Sequence, residues 1–259
     1  MAVKILGAQI AGLDMMETLC QIDLLISNKG KMHHVITLNA EILYRAQTDE
    51  ELMRIINTAD LVTPDGSGIV WAVEKLTGTR LERVTGVDLM MNLCEQAHHT
   101  GWRLFFLGGK PGVAEEAGAK LSERFDGLDI AGIRHGYFGA EEEADIINEI
   151  NASGSDILFV AMGAPRQEFW LDRQRDDLRV PVAIGIGGSL DVAAGRVKRA
   201  PVLMQKIGME WFWRLCREPW RIKRMLVLPR FMRLVAREKK KKSQNDNINR
   251  PNRAKKSLP

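Results

Sequence analysis

Three observations predict an α/β fold, a Rossmann-like and largely parallel sheet with helices on both faces and a helical appendage at the C-terminal end. Short aliphatic or β-branched runs alternate with helical patterns over most of the 259 residues. Small-residue turns follow several of these runs, as at Gly108-Gly109, Gly163-Ala164-Pro165 and Gly187-Gly188. Beyond about residue 195 the period becomes wholly helical and the charge changes sign.

Taken in order, residues 3 to 6 open as a strand, and Asp14 is placed to cap a helix running to about Ser27. Residues 34 to 38 (His-Val-Ile-Thr-Leu) form a second strand, with helix from about Ala40. Leu61-Val62-Thr63 is a short strand stopped by Pro64. Residues 66 to 76 and 86 to 98 carry helical patterns, the second starting near Asp88. Residues 103 to 107 read as a buried strand, broken by glycines before a helix to about Phe125. A strand over 128 to 133 and a helix over 142 to 151 follow, and residues 156 to 162 and 182 to 186 complete the strands. Past Pro201, the prolines at 219 and 229 each start a helix but cannot continue one, so three linked short helices are expected. The organisation is an α/β domain over 1–195, a basic amphipathic appendage over 196–237, and a basic tail over 238–259, expected to be disordered.

The charge distribution sharpens that division. Residues 196 to 259 hold 20 Lys or Arg against 4 Asp or Glu, a balance of +16. Residues 1 to 195 hold the other 17 basic and 29 acidic residues, a balance of −12. An acidic body with a basic end approaches anionic surfaces end-on. That end also carries Trp211, Phe212, Trp213, Trp220, Leu226, Leu228 and Phe231, the mixture of a segment lying in a membrane interface. No run approaches the ~18 apolar residues that cross a bilayer, so membrane contact is expected to be peripheral. The N-terminal apolar stretch is too short for a signal peptide, and Cys20, Cys94 and Cys216 stand alone as reduced thiols. A cytoplasmic protein at the inner membrane face is the expectation.

In such a sheet the ligand crevice lies beyond the carboxyl ends of the strands. Four strand ends carry suitable residues: Thr37-Leu38-Asn39, Thr63-Pro64-Asp65-Gly66, Gly163-Ala164-Pro165-Arg166-Gln167, and the run from Gly185 through Gly187, Gly188 and Asp191. Small residues with backbone N–H groups at helix starts suit a diphosphate. The dinucleotide and Walker A fingerprints are both missing, and no metal-ligand spacing occurs, so neither cofactor nor metal is expected. Asp65 is the carboxylate to single out, between a proline that fixes its approach and a glycine that lets a ligand come close. On local sequence alone it is equally placed to cap the helix that follows.

Six segments in order, T-L-N-A-E, T-P-D-G-S-G-I-V-W-A, R-V-T-G-V-D-L, F-L-G-G-K-P-G, M-G-A-P-R-Q-E and G-G-S-L-D-V-A-A-G, resemble the WecG/TagA/CpsF glycosyltransferase family over about residues 3 to 235. The resemblance implies transfer of N-acetylmannosamine or a related sugar from a UDP donor to polyprenyl-diphosphate-linked N-acetylglucosamine. It implies an inverting, metal-independent reaction at the cytoplasmic membrane face, in the teichoic-acid branch on undecaprenyl diphosphate. By the same resemblance Asp65 is the general base, and Thr37, Asn39 and Gln167 line the pocket. Arg83, Gly187, Gly188 and Asp191 then fall on the nucleotide side. Arg83 is otherwise expected in a surface ion pair with Glu82 or another neighbour. Arg214, Arg217, Arg221 and Arg224 form one stripe if the helices around Pro219 stay aligned, suited to lipid diphosphate, UDP or anionic head groups.

Rival classes remain open at this level. The Arg/Trp-rich end also fits single-stranded nucleic acid, which leaves the P-D-G and G-A-P-R-Q segments without a role. A nicotinamide oxidoreductase lacks its fingerprint. A non-catalytic scaffold, or self-association into a homo-oligomer, would use the exposed apolar end.

Overall fold

The computed structural model describes residues 2–28, 30–206, 208–217 and 226–248. Six parallel strands form the central sheet: β3 (His33–Leu38), β4 (Leu61–Pro64), β5 (Leu104–Gly108), β6 (Ile130–Arg134), β7 (Ile157–Ala161) and β8 (Val182–Gly185). Their order across the sheet is β4-β3-β8-β7-β5-β6. A two-stranded antiparallel hairpin, β1 (Ala2–Ile5) and β2 (Ala8–Ala11), precedes it and packs beside β4. Sequence pattern alone finds β1 but not β2.

Alternate residues of each strand serve opposite faces, as the two-residue strand period requires. Val35, Phe106, Phe159 and Ile184 face one side, under α1 (Met15–Ser27), α5 (Gly86–Thr100) and α6 (Val113–Arg124). Phe106 and Phe159 stack there at 5.3 Å. Ile36, Leu38 and Val62 face the other side, under α2 (Ala40–Arg45), α3 (Glu50–Thr58) and α4 (Ser67–Thr77). Further along that face, Phe105, Leu107, Leu158 and Val160 pack against α7 (Glu143–Ser153) and α8 (Arg166–Arg173). Helices therefore cover both faces, and the strands read as continuous apolar runs because both sides are buried.

The expected caps form. The Asp14 side chain accepts from Glu17 N at 2.8 Å, and Glu17 returns the bond to Asp14 N at 3.0 Å. β4 stops at Pro64 as expected, with the proline as its last residue, in register with Leu38, and Asp65 N donates to Leu38 O at 2.9 Å. A proline at a strand terminus removes one donor without breaking the remaining ladder.

After α9 (Ser189–Ala193), the chain forms α10 (Val202–Lys206), α11 (Glu210–Arg217) and α12 (Val227–Ile248). Pro229 lies inside the first turn of α12, where its missing N–H costs no helical bond, rather than ahead of it. Residues 238 to 248, expected to be disordered, instead continue this helix. Lys, Arg, Glu and Gln are good helix formers, and a helix already anchored at its start extends at little cost. The anchor is apolar: Phe231 and Val235 are fully buried in the core shared with α2 and α4. Pro219 and residues 249 to 259 fall outside the described residues.

Candidate active site

The sheet places the crevice. β3 and β4 lie on one side of the parallel sheet and β5 and β6 on the other, with β8 and β7 between them, so the order in which the chain adds strands reverses near the β3–β8–β7 centre. At the carboxyl ends of these strands lies a cavity of about 660 Å³. Thr37 and Asn39 follow from β3, Asp65 and Gly66 from β4, Met162, Gly163, Ala164, Arg166 and Gln167 from β7, and Gly187, Gly188 and Asp191 from β8. Arg83 and Thr85 enter from the segment before α5, and Lys110 and Tyr137 from the turns after β5 and β6. The appendage contributes Glu210, Trp211 and Leu215 of α11 and Val227 and Leu228 of α12. The basic end thus lies over the same crevice as Asp65, not on the opposite face.

All eight residues expected around the sugar and nucleotide, Asp65, Thr37, Asn39, Gln167, Arg83, Gly187, Gly188 and Asp191, line this one cavity. Several have partners that define what they offer a ligand. Thr37 is buried and its hydroxyl donates to Gly185 O at 2.7 Å, tying β3 to β8 at the pocket floor. Asn39 caps α2, its Oδ1 accepting from Glu41 N and Ile42 N at 3.0 Å each, which leaves the Nδ2 group as the donor for a ligand. Gln167 is buried, and its Oε1 accepts from Gly187 N at 3.1 Å. Gly187 has φ +55, a left-handed conformation that lets the chain turn its amide toward Gln167.

The expected surface pairing of Arg83 with Glu82 is not what the structure shows. Arg83 donates from Nη1 to Glu210 Oε2 of α11 at 3.3 Å. The helix of the appendage supplies this acid, and spacing along the chain gives no hint of it. Beside it, Arg199 grips Asp88 through Nη1 and Nη2 at 2.6 Å each, and the Thr85 hydroxyl donates to the same carboxylate at 2.7 Å. Burial opposes the Asp88 charge, but the Arg199 fork and the Thr85 hydroxyl outweigh it and hold the carboxyl below its usual range. Asp65 lies within electrostatic reach of Arg199, so the candidate base shares the pocket with a fixed cation.

Of the arginine stripe, Arg217 is exposed, its guanidinium 5.0 Å from the Trp213 ring centre, and it does not line the cavity. Arg221, Arg224 and the side chain of Arg214 lie outside the described residues. Among the described residues no group of three or more His, Cys, Asp or Glu side chains converges to hold a metal, and no helix is long and apolar enough to cross a membrane.

Motif reading overlooked Glu168. Its side chain is fully buried next to Gln167, from which Nε2 donates to Glu168 Oε1 at 2.9 Å. Burial pushes its carboxyl up to about 7, the Gln167 bond opposing. The available signal was spacing: Gln167, Glu168, Trp170 and Leu171 are the buried residues of α8, so an acid occupies an inward helical position.

The family model described as "Glycosyl transferase WecG/TagA/CpsF family" matches residues 3–245. The chain is 36% identical over 214 residues to an N-acetylglucosaminyldiphosphoundecaprenol N-acetyl-beta-D-mannosaminyltransferase of Bacillus spizizenii strain W23, covering 82% of this chain and 81% of that protein. It is 35% identical over 209 residues to the protein of the same name from Bacillus subtilis strain 168, covering 80% of each. With six ordered motifs converging on one crevice and the match reaching into α12, the chain belongs to the WecG/TagA/CpsF glycosyltransferase family.

Proposed function

We propose that this enzyme transfers N-acetylmannosamine from UDP-N-acetylmannosamine to N-acetylglucosaminyl-diphospho-undecaprenol at the cytoplasmic face of the membrane. The observation that carries the reading is the meeting, in one cavity, of Asp65, the Gly187–Gly188 turn and the apolar residues of a basic appendage. A sugar nucleotide needs polar groups and backbone amides, whereas a lipid-linked acceptor needs an apolar, cationic approach. The names carried by the two Bacillus relatives supply the sugars.

In this reading Asp65 accepts the proton of the acceptor hydroxyl as its oxygen attacks the anomeric carbon. The bond to the diphosphate breaks, UDP leaves with the electron pair, and a single displacement inverts the anomeric centre. The Asn39 Nδ2 group and the Gly188 region hold the donor, while Arg83 and the arginines of the appendage meet the charge growing on UDP. For Arg83 to do so, a phosphate replaces Glu210 as its partner. Each Lys or Arg near an anionic leaflet contributes about 1 kcal/mol, so the appendage docks reversibly and in a salt-sensitive way.

A donor screen tests this directly. With a short-chain prenyl-diphosphate-linked N-acetylglucosamine as acceptor, UDP release is expected from UDP-N-acetylmannosamine, undiminished by a metal chelator. Release only from another UDP-sugar reassigns the donor, and release abolished by the chelator overturns the metal-independent mechanism.

A further inference from the structure

Glu168 is a buried acid behind Gln167, outside the cavity lining, that the transfer step above does not use. We infer that Glu168 is a positioning residue: it fixes the orientation of the Gln167 amide and, through it, the Gly187 amide that shapes the donor side of the cavity. The inference rests on the donor-pocket reading and adds a residue to it.

A side-chain amide has two faces of opposite character, and only its neighbours decide which way it points. Gly187 N–H needs an acceptor, so Gln167 must offer Oε1 there, at 3.1 Å. That choice directs Nε2 inward, where a buried N–H again needs an acceptor. Glu168 Oε1 provides it at 2.9 Å. Without that oxygen, the inward N–H is left without an acceptor, a cost that opposes the amide orientation holding Gly187. β8 is shaped around the pair: a Cβ at Gly185 would lie 2.6 Å from Gln167 Nε2 and 3.3 Å from Glu168 Oε1.

Burial raises the Glu168 carboxyl to about 7, so the protonated acid predominates below neutral pH. α8 packs most closely against α3, β3 and β8, and its Arg173 pairs with Glu143 of α7. The charged or titratable side chains on the three closest elements are Glu50, Glu51 and Arg54 of α3 and His33 and His34 of β3, and β8 carries none. Arg54 pairs with Glu51 and Asp172, and His33 with Asp60, while buried His34 has no partner on either ring nitrogen. Among the described residues no cation neutralises the Glu168 carboxyl and its Oε2 has no partner, while burial favours the protonated acid. Glutamine is then a close mimic and leucine is not.

The test uses full-length protein with Glu168→Gln, Glu168→Leu and Gly185→Ala, reading kcat, KM for the UDP-sugar, and hydrogen exchange at the Gly187 amide without substrate. Glu168→Gln is expected to keep KM within about threefold of the parent and to preserve Gly187 protection, because the acceptor oxygen is retained. Glu168→Leu is expected to raise KM about tenfold or more, with a smaller change in kcat, and to lose that protection. Gly185→Ala leaves Glu168 in place but drives a methyl into the Gln167 amide, so it should reproduce the KM rise even if the leucine variant fails to fold. Unchanged KM and protection in Gly185→Ala, or a glutamine variant damaged as badly as leucine while still folded, overturns the inference. Exchange at Gly187 is read without ligand, so a parent enzyme that binds no UDP defeats the donor reading and leaves this result standing.

Discussion

Individual residues at this site are defined by what already holds them. Thr37 and Gln167 spend hydrogen bonds on Gly185 O and Gly187 N, so they shape the pocket floor before they touch any ligand. Buried titratable groups leave a measurable trace here. Glu168 titrates at about 7 in the fold against 4.5 when exposed, so it binds a proton that the unfolded chain releases. Its contribution to stability is complete below pH 4.5 and is lost as pH rises to about 7. His34 acts in the other direction: burial first, then Arg175, lowers it to about 4, so stability is lost as pH falls from 6.5 toward 4. The two nearly cancel in the parent protein, and substitution separates them. Relative to the parent, Glu168→Gln should gain ~3 kcal/mol in unfolding free energy on going from pH 4.5 to pH 8, read by urea denaturation at each pH. A difference independent of pH would show that Glu168 ionises normally in the fold.

At the level of elements, most of the strands and helices were legible because each rests on a local cause. Asp14, Asn39 and Thr85 are capping residues whose side chains accept from the first-turn amides. The β1–β2 hairpin was not legible. Its turn is Leu6-Gly7, with Leu6 at φ 48, and a leucine there carries none of the Asn-Gly or Asp-Gly signal that marks tight hairpins. The length of α12 was also hidden, since its first half is set by tertiary burial of Phe231 and Val235 and its second half by propensity in a charged run. That burial makes α12 part of the fold of the body and not a loosely attached foot. Phe231→Ala should therefore cost about 3–5 kcal/mol in a global unfolding transition, although residue 231 lies far along the chain from α2 and α4. A change well under 1 kcal/mol would mean that the helix does not pack as described.

Over the whole molecule, an acidic body and a basic end with exposed Leu203, Phe212, Leu226 and Met232 meet around one crevice. The site was legible in outline because parallel sheets open at their carboxyl ends, which drew Asp65, Asn39 and the Gly187–Gly188 turn together. Contacts between distant segments were not, and the Arg83–Glu210 and Arg199–Asp88 pairs are the clearest cases: each joins the body to the appendage across more than a hundred residues of chain. The same contacts hold the appendage against the crevice that its residues help to line. The most direct measurement is mass-spectrometric detection of the disaccharide-diphosphate-lipid product from UDP-N-acetylmannosamine and acceptor in anionic vesicles, for the parent and for Asp65→Asn. The account predicts product from the parent and a rate lower by roughly 10²–10⁴-fold for Asp65→Asn, with UDP binding retained. Product formed at the parental rate by Asp65→Asn would contradict it.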